Sequence, residues 1–136
     1  MSVTLFGKRG KYLDYARAMP SVAPAGMAES TSLATLGSVK KKAQASVPAK
    51  ETHWITSSIE HASVLACFEH IKELGGIVSV VNPDAHGIVS AESIKKELRK
   101  ETVFVSVGWA NNEIGVIQSL AEISRVIHEH GKKHGS

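Results

Sequence analysis

The stretch His53-Trp54-Ile55-Thr56-Ser57-Ser58-Ile59-Glu60-His61 describes a short apolar strand that runs directly into a polar turn. A second unit of the same design is Thr102-Val103-Phe104-Val105-Ser106-Val107, followed by a loop with Asn111-Asn112-Glu113-Ile114-Gly115. The near-continuous apolar character of this second strand predicts burial on both faces, as in a parallel sheet. Because open α/β sheets bind ligands at the carboxyl ends of their strands, both polar stretches are expected at one functional edge.

Helix patterns fill the intervals between these strands. The first helix is predicted to have Ser57 or Ser58 as its cap and to end at Gly75-Gly76. Its predicted inward residues are Val64, Leu65, Phe68, Ile71 and Leu74. After a short strand, Ile77-Val78-Ser79-Val80-Val81, Ser90 is predicted to cap a second helix and Ser119 to open a third. The inward residues of these two helices are Ala91, Ile94, Leu98, Leu120, Ile123, Val126 and Ile127.

This alternation of strands and helices predicts an α/β fold with a mainly parallel sheet flanked by helices. It extends over residues 51–136. Residues 1–50 are less regular: Tyr12-Leu13-Asp14-Tyr15 could be extended, and residues 29–42 could form one helix.

Composition narrows the class of protein. The chain has 136 residues, 43% of them apolar and 21% charged, which is typical of one soluble globular domain. The net charge is +3, and no basic stripe with interleaved aromatic residues indicates nucleic-acid binding. No apolar run has the length of a membrane span, and residues 1–20 lack a signal peptide's apolar core. One cysteine rules out an internal disulfide, so the cytoplasm is the expected location.

Two residues at the predicted strand ends could act on a flat polar ligand. The imidazole of His61 can stack on an aromatic ring and exchange protons near neutral pH, although a surface histidine beside a helix cap is the alternative. The carboxamide of Asn112 can donate to a phenolic oxygen, although an Asn-Asn turn is the alternative.

Other candidates carry weaker signals. Gly26-Met27-Ala28-Glu29-Ser30 could cradle a phosphate at a helix start, although a loop before a capped helix explains it equally. Cys67 falls on the predicted inner face of its helix, so we interpret it as a small buried hydrophobe and not a nucleophile. His128, His130 and His134 fit a solvated helix, and no metal site is predicted.

Taken in order, these strings resemble the cysteine desulfurases, pyridoxal-phosphate enzymes of the class V aminotransferase family. The resemblance is carried by residues 55–65, 86–89, 104–107 and 111–116, and more loosely by residues 12–16 and 25–30. It implies a partial large domain of the pyridoxal-phosphate-dependent transferase fold. Residues 51–136 would be its core segment, and residues 1–50 a loosely matching N-terminal segment with an apparent internal deletion.

The resemblance also implies an activity. The family converts L-cysteine to L-alanine and passes the sulfur, as a persulfide, to an acceptor or scaffold protein in iron–sulfur cluster or thio-modification pathways. Its members are homodimers. By position, His61 would stack on the pyridine ring and assist proton transfer, and Asn112 would bond the phenolic oxygen. Met27 and Ala28 would present backbone N–H groups to the phosphate.

Departures from the family pattern set limits on this expectation. Ala28 stands where the family has a threonine, which removes a hydroxyl donor to the phosphate. The family's pyridinium-binding aspartate, Schiff-base lysine and nucleophilic cysteine are expected beyond Ser136. We therefore expect an incomplete chain that is inactive alone. The alternatives are a non-catalytic paralogue that binds a ligand or partner, and one half of a split enzyme.

Overall fold

The computed structural model describes residues 2–6 and 49–134. Its main elements follow one another as strands and helices joined by short loops, after a 3-10 turn at Ala49–Glu51. In chain order they are β1 (Ser2–Phe6), β2 (His53–Ser57), α1 (Ala62–Glu73), β3 (Ile77–Val81), α2 (Ala91–Glu97), β4 (Thr102–Gly108), β5 (Ala110–Asn111), β6 (Val116–Ile117) and α3 (Leu120–His134).

Four strands form one sheet in the order β1-β4-β2-β3. Strand β2 runs parallel to both β3 and β4, and Thr56 lies opposite Val80 on one side and Ser106 on the other. Strand β1 is antiparallel to β4. The prediction of a mainly parallel α/β sheet is therefore confirmed, whereas β1 was not predicted. The extended segment at residues 12–15 and the helix at residues 29–42 lie outside the described residues.

The core is divided between the two faces of this sheet, because successive strand residues point in opposite directions. One face carries Ile55 and is covered by α2 and α3; the other carries Trp54 and is covered by α1. The buried members of the first cluster are Ile55, Val81, Val89, Ile94, Val105, Val107 and Ile123. Those of the second are Trp54, Val64, Phe68, Ile71 and Phe104. Strands β2 and β4 are thus buried on both faces, which the sequence predicted for β4.

The ends of α1 differ in how well the sequence predicted them. Its carboxyl end closes on Gly75 and Gly76, whose N–H groups donate to the carbonyls of Lys72 and Ile71 at 2.9 Å each. Gly75 adopts a φ of +88°, which the predicted glycine stop allows. The predicted cap at Ser57 or Ser58 is wrong, because Ser57 is the last residue of β2 and the cap is His61. Leu74, predicted to be buried, is the C-cap residue of α1 and is 46% exposed.

The remaining helices agree with the prediction. Ser90 caps α2 by accepting a 3.0 Å hydrogen bond from the Ser93 N–H group, and α3 begins directly after Ser119. Ile94 and Ile123 are buried, whereas their predicted neighbours on the same faces are partly buried. Between β4 and α3 the expected loop contains an unpredicted two-stranded hairpin, β5-β6. Within residues 2–6 and 49–134, no helix is both long and apolar enough to cross a membrane.

Candidate functional site

Three loops meet at the carboxyl ends of the parallel strands. They follow β2, β3 and β4 and comprise residues 58–61, 82–90 and 109–119. Hydrogen bonds join the first loop to the third and the third to the second. The sheet edge where α/β proteins bind ligands is therefore formed by segments that are fixed to one another.

His61 lies in the first of these loops and is the N-cap of α1. Its Nδ1 atom accepts a 3.1 Å hydrogen bond from the Ser63 N–H group and lies 2.8 Å from the Ser63 hydroxyl. The side chain is exposed. One edge of the imidazole is thus used by the helix, and the ring is open to solvent beside the sheet edge.

Asn112 lies in the turn of the third loop and is exposed. The residue before it holds that turn in place: Asn111 Oδ1 accepts hydrogen bonds from the N–H groups of Glu113 and Ile114, at 2.9 and 3.1 Å. The turn predicted as the alternative for this Asn-Asn pair is therefore formed by the side chain of Asn111. The side chain of Asn112 takes no part in these hydrogen bonds. The Asn111 amide also donates to the Ile59 carbonyl at 2.7 Å, which joins the Asn112 loop to the His61 loop.

Glu60 connects the His61 loop to the end of β4, where the Asn112 loop begins, and was not assigned a role from the sequence. Its Oε1 atom accepts from the Gly108 N–H group at 2.6 Å and from the Ser57 hydroxyl at 2.8 Å. Burial raises the pKa of the Glu60 carboxyl above its usual range, although these two hydrogen bonds act in the opposite direction. The signal was present in the sequence, because Glu60 lies three residues after Ser57 and directly before His61.

Gln118 connects the second and third loops and was also missed. It is buried; its Oε1 atom accepts from the Val89 N–H group and its Nε2 atom donates to the Gly87 carbonyl, both at 2.8 Å. Gly87 itself has a φ of +79°, and an added Cβ would lie 2.9 Å from Ile114 Cδ1. The turn after β3 is therefore packed closely against the loop that carries Asn112.

A carboxylate shapes the same turn after β3. Asp84 Oδ1 accepts from the N–H groups of His86 and Ile88, at 2.9 Å each. These bonds lower the pKa of Asp84. The side chain is exposed and is used by its own backbone, so it provides the turn rather than a reactive group.

The other sequence candidates lie away from these loops or outside the described residues. Cys67 is buried in α1, and its Sγ atom donates to the Ser63 carbonyl at 3.1 Å. His128 and His130 contact the backbone carbonyls of Ser124 and Arg99. No group of three potential metal ligands occurs within the part of the chain that the structure describes. Met27 and Ala28, the predicted phosphate contacts, fall in the segment that is not described.

Comparison with known proteins places this geometry in a family. The model of the aminotransferase class-V family matches residues 28–133, most of the chain. The chain belongs to the class V aminotransferase family. Cysteine desulfurase IscS 1 of Archaeoglobus fulgidus is 38% identical to this class V chain over 109 residues, which are 80% of the chain and 27% of the relative.

Two solved structures share the fold of this class V aminotransferase segment. DndA from Streptomyces lividans superposes with a TM-score of 0.65 and 37% identity, covering 74% of this chain and 27% of that one. SspA in complex with cysteine gives a TM-score of 0.65 and 30% identity over 76% of this chain and 28% of that one. The chain thus spans little more than a quarter of these relatives. Pyridoxal phosphate is the cofactor on which this family depends.

Proposed function

We propose that the protein acts as a cysteine desulfurase in which this segment binds one side of pyridoxal phosphate. The observation that carries the proposal is a pair of hydrogen bonds that join the loop after β2 to the last residue of β4 and to the loop after β4. They hold the segment that ends in His61 and the segment that contains Asn112 at the same edge of a parallel sheet. That edge is where ligands bind in sheets of this kind.

The described residues fit the ring of the cofactor. An exposed imidazole offers a flat face to an aromatic ring, and an exposed carboxamide offers a donor to a phenolic oxygen. Pyridoxal phosphate supplies an electron sink for bond cleavage at an amino acid. In the proposal, His61 stacks on the ring and moves a proton, Asn112 orients the ring, and the backbone of Met27 and Ala28 binds the phosphate.

L-Cysteine is the proposed substrate and L-alanine the proposed product. The match to SspA, whose structure contains cysteine, supports this choice. We further propose that the sulfur passes as a persulfide to an acceptor or scaffold protein for iron–sulfur cluster assembly or thio-modification. The proposed enzyme is a homodimer in the cytoplasm, where the lone cysteine would stay reduced.

Cofactor binding by the full chain tests the proposal directly. Pyridoxal phosphate is titrated into the purified chain, and its absorbance and the tryptophan fluorescence of the protein are followed. His61→Ala should weaken binding about tenfold through loss of stacking. Asn112→Ala should weaken it about fivefold through loss of one hydrogen bond.

The matched controls are substitutions of an exposed histidine and an exposed asparagine outside the loops that carry His61 and Asn112. His70 is an exposed histidine later in α1, and Asn82 is an exposed asparagine directly after β3. His70→Ala and Asn82→Ala should bind pyridoxal phosphate as the wild type does. Equal affinities for all four variants and the wild type would contradict the assignment of His61 and Asn112. Absence of binding by the wild type would contradict cofactor binding by this chain.

A further inference from the structure

Two hydrogen bonds join the loop after β2 to the end of β4 and to the loop that follows β4, and each involves a residue adjacent to a candidate ring contact. Asn111 Nδ2 donates to the Ile59 carbonyl at 2.7 Å, and the Gly108 N–H group donates to Glu60 Oε1 at 2.6 Å. The bonds run in opposite senses: a side chain of the β2 loop accepts from the backbone at the end of β4, and a side chain of the β4 loop donates to the backbone of the β2 loop. Glu60 directly precedes His61, and Asn111 directly precedes Asn112.

The carboxylate of Glu60 accepts a hydrogen bond just beyond the point where the backbone pairing of β2 with β4 ends. Strands β2 and β4 pair as far as Thr56 and Ser106, and beyond that pair no further β2–β4 partners follow. The N–H group of Gly108 instead meets the side chain of Glu60. The fit is close, because a Cβ added to Gly108 would lie 3.3 Å from Glu60 Oε2. Burying a charged carboxylate costs free energy unless donors bond to it. The Ser57 hydroxyl and the Gly108 N–H group are those donors, so the position of Glu60 depends on both.

Asn111 uses both ends of its amide. The oxygen collects the N–H groups of Glu113 and Ile114 and so shapes the turn that contains Asn112, while the nitrogen attaches this turn to Ile59. Ile59 in turn packs against the core cluster of Ile55. The turn that contains Asn112 is therefore attached, through the side chain of Asn111, to a residue that packs on the core of the sheet.

We infer that Glu60 and Asn111 are positioning residues that set the distance between the His61 imidazole and the Asn112 carboxamide. The choice of ligand in this inference rests on the proposed function. The geometry of the clamp, by which we mean the Glu60–Gly108 and Asn111–Ile59 hydrogen bonds, does not. Ring stacking and hydrogen bonding both depend on the distance between the groups, and a hydrogen bond lengthened by about 1 Å is lost. The two residues would therefore affect affinity without touching the ligand.

Amide hydrogen exchange on the full chain tests the clamp without any ligand. Glu60→Ala should speed exchange at Gly108 and across residues 109–117 about tenfold or more, because the acceptor is lost. Glu60→Gln keeps an acceptor oxygen and should restore slow exchange. Asn111→Asp keeps the oxygens that hold its own turn but replaces the donor to Ile59, so it should loosen the attachment between the loops.

Gln118→Ala is the matched control, because Gln118 is a buried amide that joins neighbouring loops without adjoining His61 or Asn112. It should lower the melting temperature yet leave exchange at Gly108 unchanged. Pyridoxal phosphate affinity should fall about tenfold in Glu60→Ala and Asn111→Asp, and stay within about twofold of the wild type in Glu60→Gln.

The outcomes separate the clamp from the proposed function. Unchanged exchange at Gly108 in Glu60→Ala, or the same change in Gln118→Ala, would overturn the clamp. If the wild type binds the cofactor, and Glu60→Ala and Asn111→Asp exchange faster but bind it with unaltered affinity, the positioning role of these two residues is overturned. If the wild type binds no pyridoxal phosphate, the proposed function fails for this chain, and the exchange comparison still decides the clamp.

Discussion

The two ends of the β2 segment each carry a histidine, and the two side chains are used differently. His53, at the amino end, is fully buried, with Nδ1 2.8 Å from the Thr102 hydroxyl and Nε2 3.0 Å from the Ser79 hydroxyl. His61, beyond the carboxyl end, is exposed and uses only Nδ1, as a helix cap. The amino end of the sheet therefore uses its polar groups for the fold, whereas the carboxyl end leaves some of them accessible.

The polar network at the amino end is complete when His53 is neutral. Ser79 donates its hydroxyl proton to Glu97 Oε2 at 2.7 Å, so its oxygen accepts from Nε2–H of His53. Thr102 Oγ1 accepts from the Arg99 N–H group at 2.8 Å and can give its own proton to Nδ1. Each donor has an acceptor in this arrangement, which is the condition under which a buried polar network stabilises a fold.

The carboxyl half of the same strand does not meet that condition. Thr56 is fully buried, and its Oγ1 atom has no hydrogen-bond partner among the described residues. The cost of such an unpaired group is about 1–3 kcal/mol. The hydrogen bonds of β2 are therefore complete where the strand begins and incomplete at Thr56, toward its carboxyl end, and mutations can test each half.

His53→Ala should have the largest effect, a loss of about 4 kcal/mol in the free energy of unfolding. The substitution opens a cavity and leaves the hydroxyls of Ser79 and Thr102 each with one hydrogen-bond partner fewer. Urea denaturation at pH 7.5 measures it, with His70→Ala as an exposed control that should stay within about 0.5 kcal/mol of the wild type. A loss of under 1 kcal/mol would contradict the importance of the amino-end network.

Acid should weaken the protein through the same histidine. Burial and the nearby guanidinium of Arg99 lower the pKa of His53 from 6.5 to about 4, although Glu97 and Glu101 oppose this shift. Because the unfolded chain takes up the proton at higher pH than the folded chain, the free energy of unfolding should fall as the pH falls from about 6.5 to about 4. The expected loss is roughly 3 kcal/mol.

His53→Gln isolates this titration, because glutamine cannot be protonated in that range. The variant is less stable at pH 7.5, but its stability should change much less between pH 6.5 and 4. The raised pKa of Glu60 acts in the opposite direction, since a carboxyl that is protonated more readily when folded favours the folded state in acid. The free energy of unfolding is therefore measured against pH for the wild type and for His53→Gln, and the difference between the two curves gives the contribution of His53. Parallel curves would contradict the prediction.

Thr56→Val should stabilise the protein by about 1 kcal/mol, since it removes a buried hydroxyl without a partner and keeps the side-chain volume. Ser79→Ala provides the opposite sign at the other half of the sheet, because it deprives both His53 and Glu97 of a hydrogen bond. Urea denaturation of the two variants measures the difference. Destabilisation by Thr56→Val would show that this hydroxyl is satisfied and would remove the contrast between the two halves of β2.

The sequence predicted the elements that periodicity controls and missed those that distant contacts control. The apolar runs of β2 and β4 and the glycine stop of α1 are local signals, and the structure confirms them. Strand β1 pairs with β4, and the alternation of polar and apolar residues over Ser2-Val3-Thr4-Leu5 is a local signal that was not used. The hairpin strands β5 and β6 have two residues each, too few for an alternating pattern, so they could not be predicted from local sequence.

The same distinction explains the site. His61 and Asn112 follow predicted strands, so their common edge could be inferred from topology. Glu60, Asn111 and Gln118 act on residues that lie between 29 and 52 positions away in the chain. The Ser57-x-x-Glu60 spacing matches a capping box, yet here the serine hydroxyl donates to the glutamate and the helix begins later. A local motif was therefore used for a long-range contact.

His61→Ser should have the smallest effect on stability and is the most informative about the carboxyl end. Serine is a good N-cap, so the free energy of unfolding should change by less than about 0.5 kcal/mol, whereas His61→Ala should lose about 1 kcal/mol with the cap. Both variants remove the imidazole, and both should bind pyridoxal phosphate about tenfold more weakly. Urea denaturation and cofactor titration of this pair separate the two uses of one side chain. If His61→Ser restores both stability and affinity, the histidine is only a cap, and the difference between the two ends of β2 is one of exposure alone.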